Sequence, residues 1–405
     1  MVASAYEAEC RRFGPAFPLH VFNTFYFGLG MSGTVLRTRI GTAFAILLFL
    51  AICLNCILHE NPLVDAHVYS SALNTVHRGG DPYLEDAPLR FVCPPWFLLV
   101  PYLGRLGWFV YLIVNMGCLL SIPYLISRYL QGTWVTTTWC YLVFALAPTF
   151  PGEISMIGGN LANILYAVLL WSGLRGVRCG GRWSAYYAAV FLFASVKPQM
   201  LCFLLLPLLW GAGWIPSALT VASVGSAFAV QRAVAPRLFK EFEAAVHSQL
   251  ITHGDIGVGI PSLFHGSHLS LPLLLHFFVV AFFALCMWIT RLHRDNPTWI
   301  STVLVLCVLA NPRLIHYDIA VATVPTFYVL ANCFRRSPAL AGLWSVVLFL
   351  LFSLSLHRGM LGLLFSPLAV YAITEWELIR TGFLKKTISS EASLEHVANR
   401  YPGSL

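Results

Sequence analysis

The sequence predicts an all-α polytopic membrane protein with about twelve transmembrane helices, some of them short or broken. Three observations carry that prediction. Residues are 58% hydrophobic and only 10% charged, against about 25% charged in ordinary soluble domains. Apolar runs long enough to cross, or nearly cross, a bilayer recur along the chain. Clusters of Arg and Lys stand in alternate gaps between those runs, as orientation signals do.

Residues 1–36 mix a charged EAECRR with an apolar FPLHVFNTFYFGLG broken by Pro and Gly. They lack the basic, apolar and cleavage regions of a signal peptide, and are expected to be cytoplasmic or to lie along the membrane surface. Arg37 and Arg39 precede a first span at about 40–58. The next covers about 106–127 and ends at Arg128. A third runs 133–149, and 160–174 returns to Arg175, Arg178 and Arg182. Residues 184–196 go out, 199–210 come back and 214–232 go out again. After a polar stretch, 233–270, a span at 271–290 ends at Arg291 and Arg294. Then 298–310 runs outward, 317–333 ends at Arg335 and Arg336, 339–356 runs outward, and 359–376 returns to Arg380, Lys385 and Lys386. The positive-inside rule therefore places both termini in the cytoplasm. The expected organisation is an N-terminal segment 1–36, a transmembrane domain 37–377 with outer loops 59–95 and 233–270, and a cytoplasmic tail 378–405.

The stretch 184–210 admits two readings. As one long helix it buries Lys197 near its middle and reverses the sides of every later basic cluster. The charge rule favours two short segments broken at Lys197-Pro198, where proline cannot donate the helical hydrogen bond. A helix over 184–196 is only ~20 Å long, short of a ~30 Å hydrocarbon core. Loops capping it would line a hollow on the outer side. Residues 236–250 place Leu238, Phe239, Phe242 and Val246 on one side of a helix, which predicts an amphipathic surface helix. Trp183, Trp210, Trp214, Trp299 and Trp376 stand near span ends and read as interfacial anchors.

Composition also excludes several functions. The net charge of +8 lies largely in short loops, with no basic stripe interleaved with aromatics, so nucleic acid is not an expected partner. Most of the eleven cysteines fall inside apolar runs, where Cys serves as a small hydrophobe. Cys53 and Cys56 share a helix face, but no further ligands stand near, so neither a zinc site nor a disulfide framework is expected. No phosphate-binding glycine loop, dinucleotide fingerprint, zincin motif or nucleophile elbow occurs. No metal and no cofactor are expected.

The polar stretch Asn61 to Pro95 is stranded in this apolar chain. It carries Asp65, His67, Tyr69, His77, Arg78, Asp81, Tyr83, Glu85, Asp86 and Arg90, and closes on Pro94-Pro95. Asp65 follows the first span by a few residues; alone it would be a solvated boundary carboxylate. Gly79-Gly80-Asp81-Pro82-Tyr83 is turn chemistry, and Asp81 reads equally well as a turn former or a functional group. Lys197 among FLFASV and MLCFLLL is costly unless it snorkels or meets an anion. Asn311 to Asp318 sets Arg313, His316 and Asp318 between two apolar runs. These form either an internal Arg–Asp pair or, with Lys197, a phosphate cradle.

The patterns D-x-x-x-Y (Asp65 to Tyr69), R-G-G-D-P-Y (Arg78 to Tyr83) and F-x-C-P-P (Phe91 to Pro95) resemble the first outer loop of polyprenol-phosphate-sugar-dependent glycosyltransferases of the GT-C type. The likeness is to the bacterial family containing the phosphatidylinositol-mannoside α-1,2-mannosyltransferase. That family's loop ends in Tyr-Pro-Pro, where Cys93 here replaces the tyrosine. Further likenesses are Gly158-Gly159-Asn160, Lys197-Pro198-Gln199 and the Pro312 to Asp318 loop. The family usually has Gly-Gln-x-Asn at the first of these; the Gln is missing here, and Asn163 is the other match for the Asn.

The resemblance implies a GT-C fold, a lipid-phosphate sugar donor and Asp65 as the catalytic carboxylate. Lys197, Arg313 and His316 are then expected at the donor phosphate. Tyr69, Asp81, Tyr83, Asn160, Gln199 and Asp318 are expected to bind acceptor or sugar, or to shape the loops. The expected partners are a polyprenyl-phosphate-linked sugar, a lipid or glycan acceptor and membrane lipids. The expected location is the inner (plasma) membrane, multi-pass, with the site on the extracytoplasmic side. A prenyl phosphate is a good leaving group, so one base and nearby cations suffice, and a single displacement inverts the anomeric centre. From another class, a secondary transporter or flippase for an anionic or lipid-linked solute would also use broken helices with an internal lysine.

Overall fold

The computed structural model describes residues 40–51, 64–83, 91–99, 104–146, 159–248, 259–263, 270–314, 316–354, 356–377 and 379–380. Among them, all regular structure is helical. Helix α1 (Ile40–Ala51) comes first. The polar stretch then supplies α2 (Val64–His77) and a 3-10 turn, Pro95–Leu99.

Helices α3 (Gly104–Tyr129) and α5 (Ala162–Arg178) pack along each other, with α4 (Trp134–Leu146) against α3. The seam is close. The Tyr129 hydroxyl donates to the Leu170 carbonyl at 2.8 Å. A Cβ added to Gly173 would stand 2.5 Å from that hydroxyl, so glycine is what lets α3 cross there.

The Lys197-Pro198 break is present. Helix α6 (Ser184–Ala194) stops, Lys197 is extended at φ −128°, ψ 92°, and a 3-10 turn over Pro198–Leu204 runs into α7 (Leu205–Trp210). The residue before a proline is driven out of the α region, which accounts for the extended lysine. The chain reverses here: the Tyr186 hydroxyl bonds the Phe203 carbonyl at 2.9 Å, and the Trp183 and Trp210 rings lie 6.3 Å apart. This 184–210 segment is thus a short helical hairpin.

Helix α8 (Trp214–Val234) bends by 119° into α9 (Pro236–His247), the amphipathic helix expected at 236–250. Then come α10 (Ser270–Ile289) and α11 (Pro297–Leu309). Every residue of α11 from Thr298 to Leu309 is buried, so it forms the centre of the bundle. Its Ser301 and Thr302 hydroxyls donate back to carbonyls one turn earlier, which satisfies them inside the core. Helices α12 (His316–Arg336), α13 (Pro338–Leu354) and α14 (Leu356–Thr374) complete the chain, with α14 lying against both α12 and α13.

Among the described residues, two helical stretches are long and apolar enough to cross a membrane, Gly107–Tyr129 and Ser270–His293, and α8 with α9 makes a third if the bent pair is one span. The remaining apolar helices are shorter. Large side chains stand exposed on the outside of the bundle, among them Leu219, Phe278 and Phe349. An apolar exterior of this kind suits lipid rather than water.

The helices sort their polar residues by end. At one end, Arg178 donates to the Arg128 carbonyl at 3.2 Å, Arg294 to the Trp210 carbonyl at 2.6 Å, and Arg336 pairs with Glu375 at 2.6 Å. Asp65, Asn160, Lys197 and Asn311 belong to the opposite ends of the same helices or to segments joined there. The tryptophans depart from expectation. Trp214 and Trp376 are exposed, as anchors should be, but Trp183, Trp210 and Trp299 are buried and stack edge to face. They fill the closed basic end of the bundle, and Trp183 lies so tightly on Gly176 that a Cβ there would be 2.5 Å from its ring. An indole near a helix end can face inward as well as outward; packing decides which.

Candidate functional site

The site begins with α2, a helix within what reads in sequence as loop. Asp65 lies in its first turn, where the helix dipole favours a carboxylate. The helix stops at Gly79, which takes φ +77° and lets the Gly80 N–H bond the Thr75 carbonyl at 2.8 Å. Asp81 then accepts the Tyr83 N–H at 2.9 Å, closing a turn through its own side chain. The Tyr83 hydroxyl donates to the Cys93 carbonyl at 2.8 Å.

A small apolar core forms beneath this turn from Tyr69, Ala72, Tyr83, Phe91 and Cys93 together with Ala245, Leu238 and Phe242 of α9. The amphipathic helix thus spends part of its apolar side on the polar stretch. Its Glu241 faces Asp81, and that carboxyl pushes Glu241 above the usual range; Arg237 bonds Glu241 at 3.0 Å from the other side. Trp96 N–H also reaches Gln231 of α8 at 3.1 Å. Tyr69, Tyr83 and Asp81 therefore shape the loop and hold its roof.

Asp65, Asn160 and Lys197 come together from three separate segments. Asn160 Nδ2 donates to Asp65 Oδ2 at 2.9 Å, and Lys197 Nζ donates to Asn160 Oδ1 at 3.0 Å. Asn160 is 3% exposed and Lys197 9%, whereas Asp65 is half-buried. Burial raises the Asp65 carboxyl above its ordinary value, while the Asn160 amide and the Lys197 charge oppose that rise. No described residue bonds Asp65 Oδ1. The arrangement offers a carboxylate of raised basicity and a buried ammonium, spaced by one amide.

Two residues missed by sequence reading, Asn115 and Tyr111, help hold this line in place. Asn115, inside α3 and fully buried, donates to the Asn160 carbonyl at 2.7 Å. Asn163 Nδ2 donates in turn to Asn115 Oδ1 at 2.8 Å. The Tyr111 hydroxyl bonds the Gly159 carbonyl at 2.7 Å, and Gly159 takes φ +72°. An amide left unpaired inside such a core costs roughly 2–7 kcal/mol, so these bonds are needed for the fold itself. The available signal was the polar Asn115 within YLIVNMG, which burial makes costly unless partnered.

A second cluster lies around α12. Asp318, 1% exposed, accepts from the Tyr166 hydroxyl of α5 and from Asn311 Nδ2, the latter at 3.2 Å. Asn311 Oδ1 takes the Arg313 N–H at 3.0 Å. The 259–263 turn presses on this loop: a Cβ on Gly259 would sit 2.1 Å from the Pro312 carbonyl. Asp318 is thus a buried tie between α5, α12 and the Asn311 turn. Arg313 is half-buried in that turn, and Gln199 is half-buried in the first turn after Lys197. His316 is the first residue of α12, but its side chain lies outside the described residues. Burial pushes the Cys93 thiol up to about 12, which leaves no thiolate nucleophile beside Asp65. Among the described residues no group of three or more His, Cys, Asp or Glu is placed to hold a metal.

No family model matches this chain, and no curated protein matches it either.

Proposed function

We propose that the protein is an integral-membrane, multi-pass glycosyltransferase. It moves a sugar, mannose by the resemblance, from a polyprenyl-phosphate donor to a hydroxyl of a lipid or glycan acceptor, with inversion. The single observation that carries this reading is the line Asp65–Asn160–Lys197, which sets a carboxylate of raised basicity beside a buried cation. Asp65 takes the proton of the acceptor hydroxyl as its oxygen bonds the anomeric carbon. The bond from that carbon to the phosphate oxygen breaks, and its electron pair leaves with the phosphate, whose charge Lys197 stabilises. Arg313 and His316 belong to the loop proposed to complete the phosphate cradle. The separation of a basic end from an end bearing Asp65 and Lys197 supports cytoplasmic and extracytoplasmic faces respectively.

The test uses the purified full chain, polyprenyl-phosphate-[3H]mannose and a total lipid extract. Label is expected in a new glycosidic product whose anomeric configuration, read by NMR, is opposite to the donor's. Donor that crosses a proteoliposome bilayer with no new glycosidic bond would make the protein a transporter instead.

A further inference from the structure

The Asn160 side chain can adopt only one orientation. Its Oδ1 receives the Ala162 backbone N–H at 2.8 Å and the Lys197 ammonium at 3.0 Å. Both are donors with no accepting atom to offer, so an amide nitrogen cannot stand there. The NH2 end must therefore face Asp65, and the oxygen it meets, Oδ2, must accept. That bond engages Oδ2 as an acceptor and favours the proton on Oδ1. The backbone of Asn160 is fixed as firmly: Asn115 holds its carbonyl at 2.7 Å, and Asn163 braces Asn115 at 2.8 Å. All the polar atoms of the Asn160 side chain engaged here face protein groups, and the residue is buried.

Resting on the transferase reading above, we propose that Asn160 is a positioning residue. Its amide, oriented by the Ala162 N–H and the Lys197 ammonium, ties down Asp65 Oδ2 and leaves Oδ1 as the atom that takes the acceptor proton. The O–H bond of the acceptor breaks and an Oδ1–H bond forms, while Oδ2 keeps its amide partner throughout. Asn115 and Asn163 act one step further back, by holding the Asn160 main chain in place. Among the described residues, the charged and titratable groups facing Asp65 are Lys197 after the hairpin break, Cys93 before the Pro-Pro pair and Tyr111 on α3.

The isosteric variant Asn160→Asp tests this. It retains an oxygen for Ala162 and Lys197 but turns the donor facing Asp65 into a second carboxylate. The readout is the carboxylic-acid C=O stretch of Asp65 in the infrared, titrated on the purified full chain and identified as the band lost in Asp65→Asn. The midpoint is expected to rise by about one to two pH units in Asn160→Asp, the scale of one hydrogen bond to a charged group. An unmoved or lowered midpoint overturns the proposal. Should that variant not assemble, Asn160→Ser is compared with Asn160 in a Lys197→Met background, where no ammonium can take the vacated place, and the same upward direction is required. Transfer of label from polyprenyl-phosphate-[3H]mannose is followed alongside. A shifted midpoint in a protein that never transfers sugar would keep Asn160 in its role and remove the transferase reading. Normal transfer with an unmoved midpoint would do the reverse.

Discussion

Asp65→Asn separates chemistry from architecture, because the replacement has the same shape. In the native site Asn160 Nδ2 meets Asp65 Oδ2 at 2.9 Å. An asparagine at 65 can accept that bond only through its carbonyl oxygen, which forces its own NH2 into the place of Oδ1. The acceptor hydroxyl would then meet a donor where it needs a base. Loss of general-base assistance lowers rates by ~10²–10⁴-fold, equivalent to about 3–5.5 kcal/mol of barrier. Donor affinity should hold, since the Lys197–Asn160 bond at 3.0 Å is untouched. Stability should move in the opposite direction from activity. Because burial raises the folded carboxyl above its ordinary 3.8, the unfolded chain ionises first. Stability therefore falls as pH climbs from that value to the raised one, and the deficit persists at neutral pH. Asp65→Asn abolishes the deficit, so its Tm should exceed that of the native chain at pH 7 and lose the advantage below the ordinary carboxylate value. Single-turnover transfer and thermal unfolding on the same preparation read both effects. A folded Asp65→Asn protein that transfers within ten-fold of native, with no gain in Tm, would refute the reasoning. A dead but folded Asp81→Asn beside it would move the base to Asp81.

Three further outcomes are expected. Lys197→Met should lower kcat/KM for the polyprenyl-phosphate donor by roughly ten- to a hundred-fold, the scale of one charge-assisted hydrogen bond, while the chain still assembles; unchanged kinetics would take Lys197 out of the donor site. Gly176→Ala sets a methyl 2.5 Å from the Trp183 ring and should cost about 1–3 kcal/mol, read as a lower Tm with little change in transfer rate; an unchanged Tm would mean that the indole has room to retreat. In a background without accessible native cysteines, Ser71→Cys should react with an impermeant reagent from outside intact cells and Arg182→Cys should not, since both positions are exposed but lie at opposite ends. Outside labelling at 182 would overturn the sidedness expected from the twelve-span reading of the sequence.

Much of the bundle was legible because its signal is strong and local. Each of the twelve apolar runs carries helix among the described residues, and the break at Lys197-Pro198 follows from the charge rule together with proline geometry. Lys197 stood out because a charge in apolar company needs a reason, whereas Asp65 and Asn160 were singled out by the resemblance. Helix α2 was not legible: VDAHVYSSALNTVH has no clean apolar period, the ring that Tyr69 meets is Phe97 beyond the turn, and the rest of its small core includes residues of α9. Tertiary packing stabilises such a helix, not its own pattern. Asn115 was missed for a related reason. One amide inside an apolar span says that a partner exists but not which one, and its partners lie 45 and 48 residues away. The inward-facing tryptophans show the same limit, since an indole near a span end has two amphipathic solutions and only the neighbouring helices choose between them.

The short hairpin has an electrical consequence. Helix α6 spans Ser184–Ala194 and so advances about 17 Å before the chain turns at Lys197, while a hydrocarbon core is about 30 Å thick. In the membrane-embedded reading, the lysine then lies well inside the low-dielectric slab, and water or headgroups must follow the chain down to it. A transmembrane potential falls only across the remaining insulating part, so the field there is steeper than in unbroken bilayer. A full elementary charge moved through 100 mV changes by about 2.3 kcal/mol. An anionic phosphate that reaches Lys197 through that hollow stops short of the steep part of the drop, so its occupancy would depend little on whether the membrane is energised.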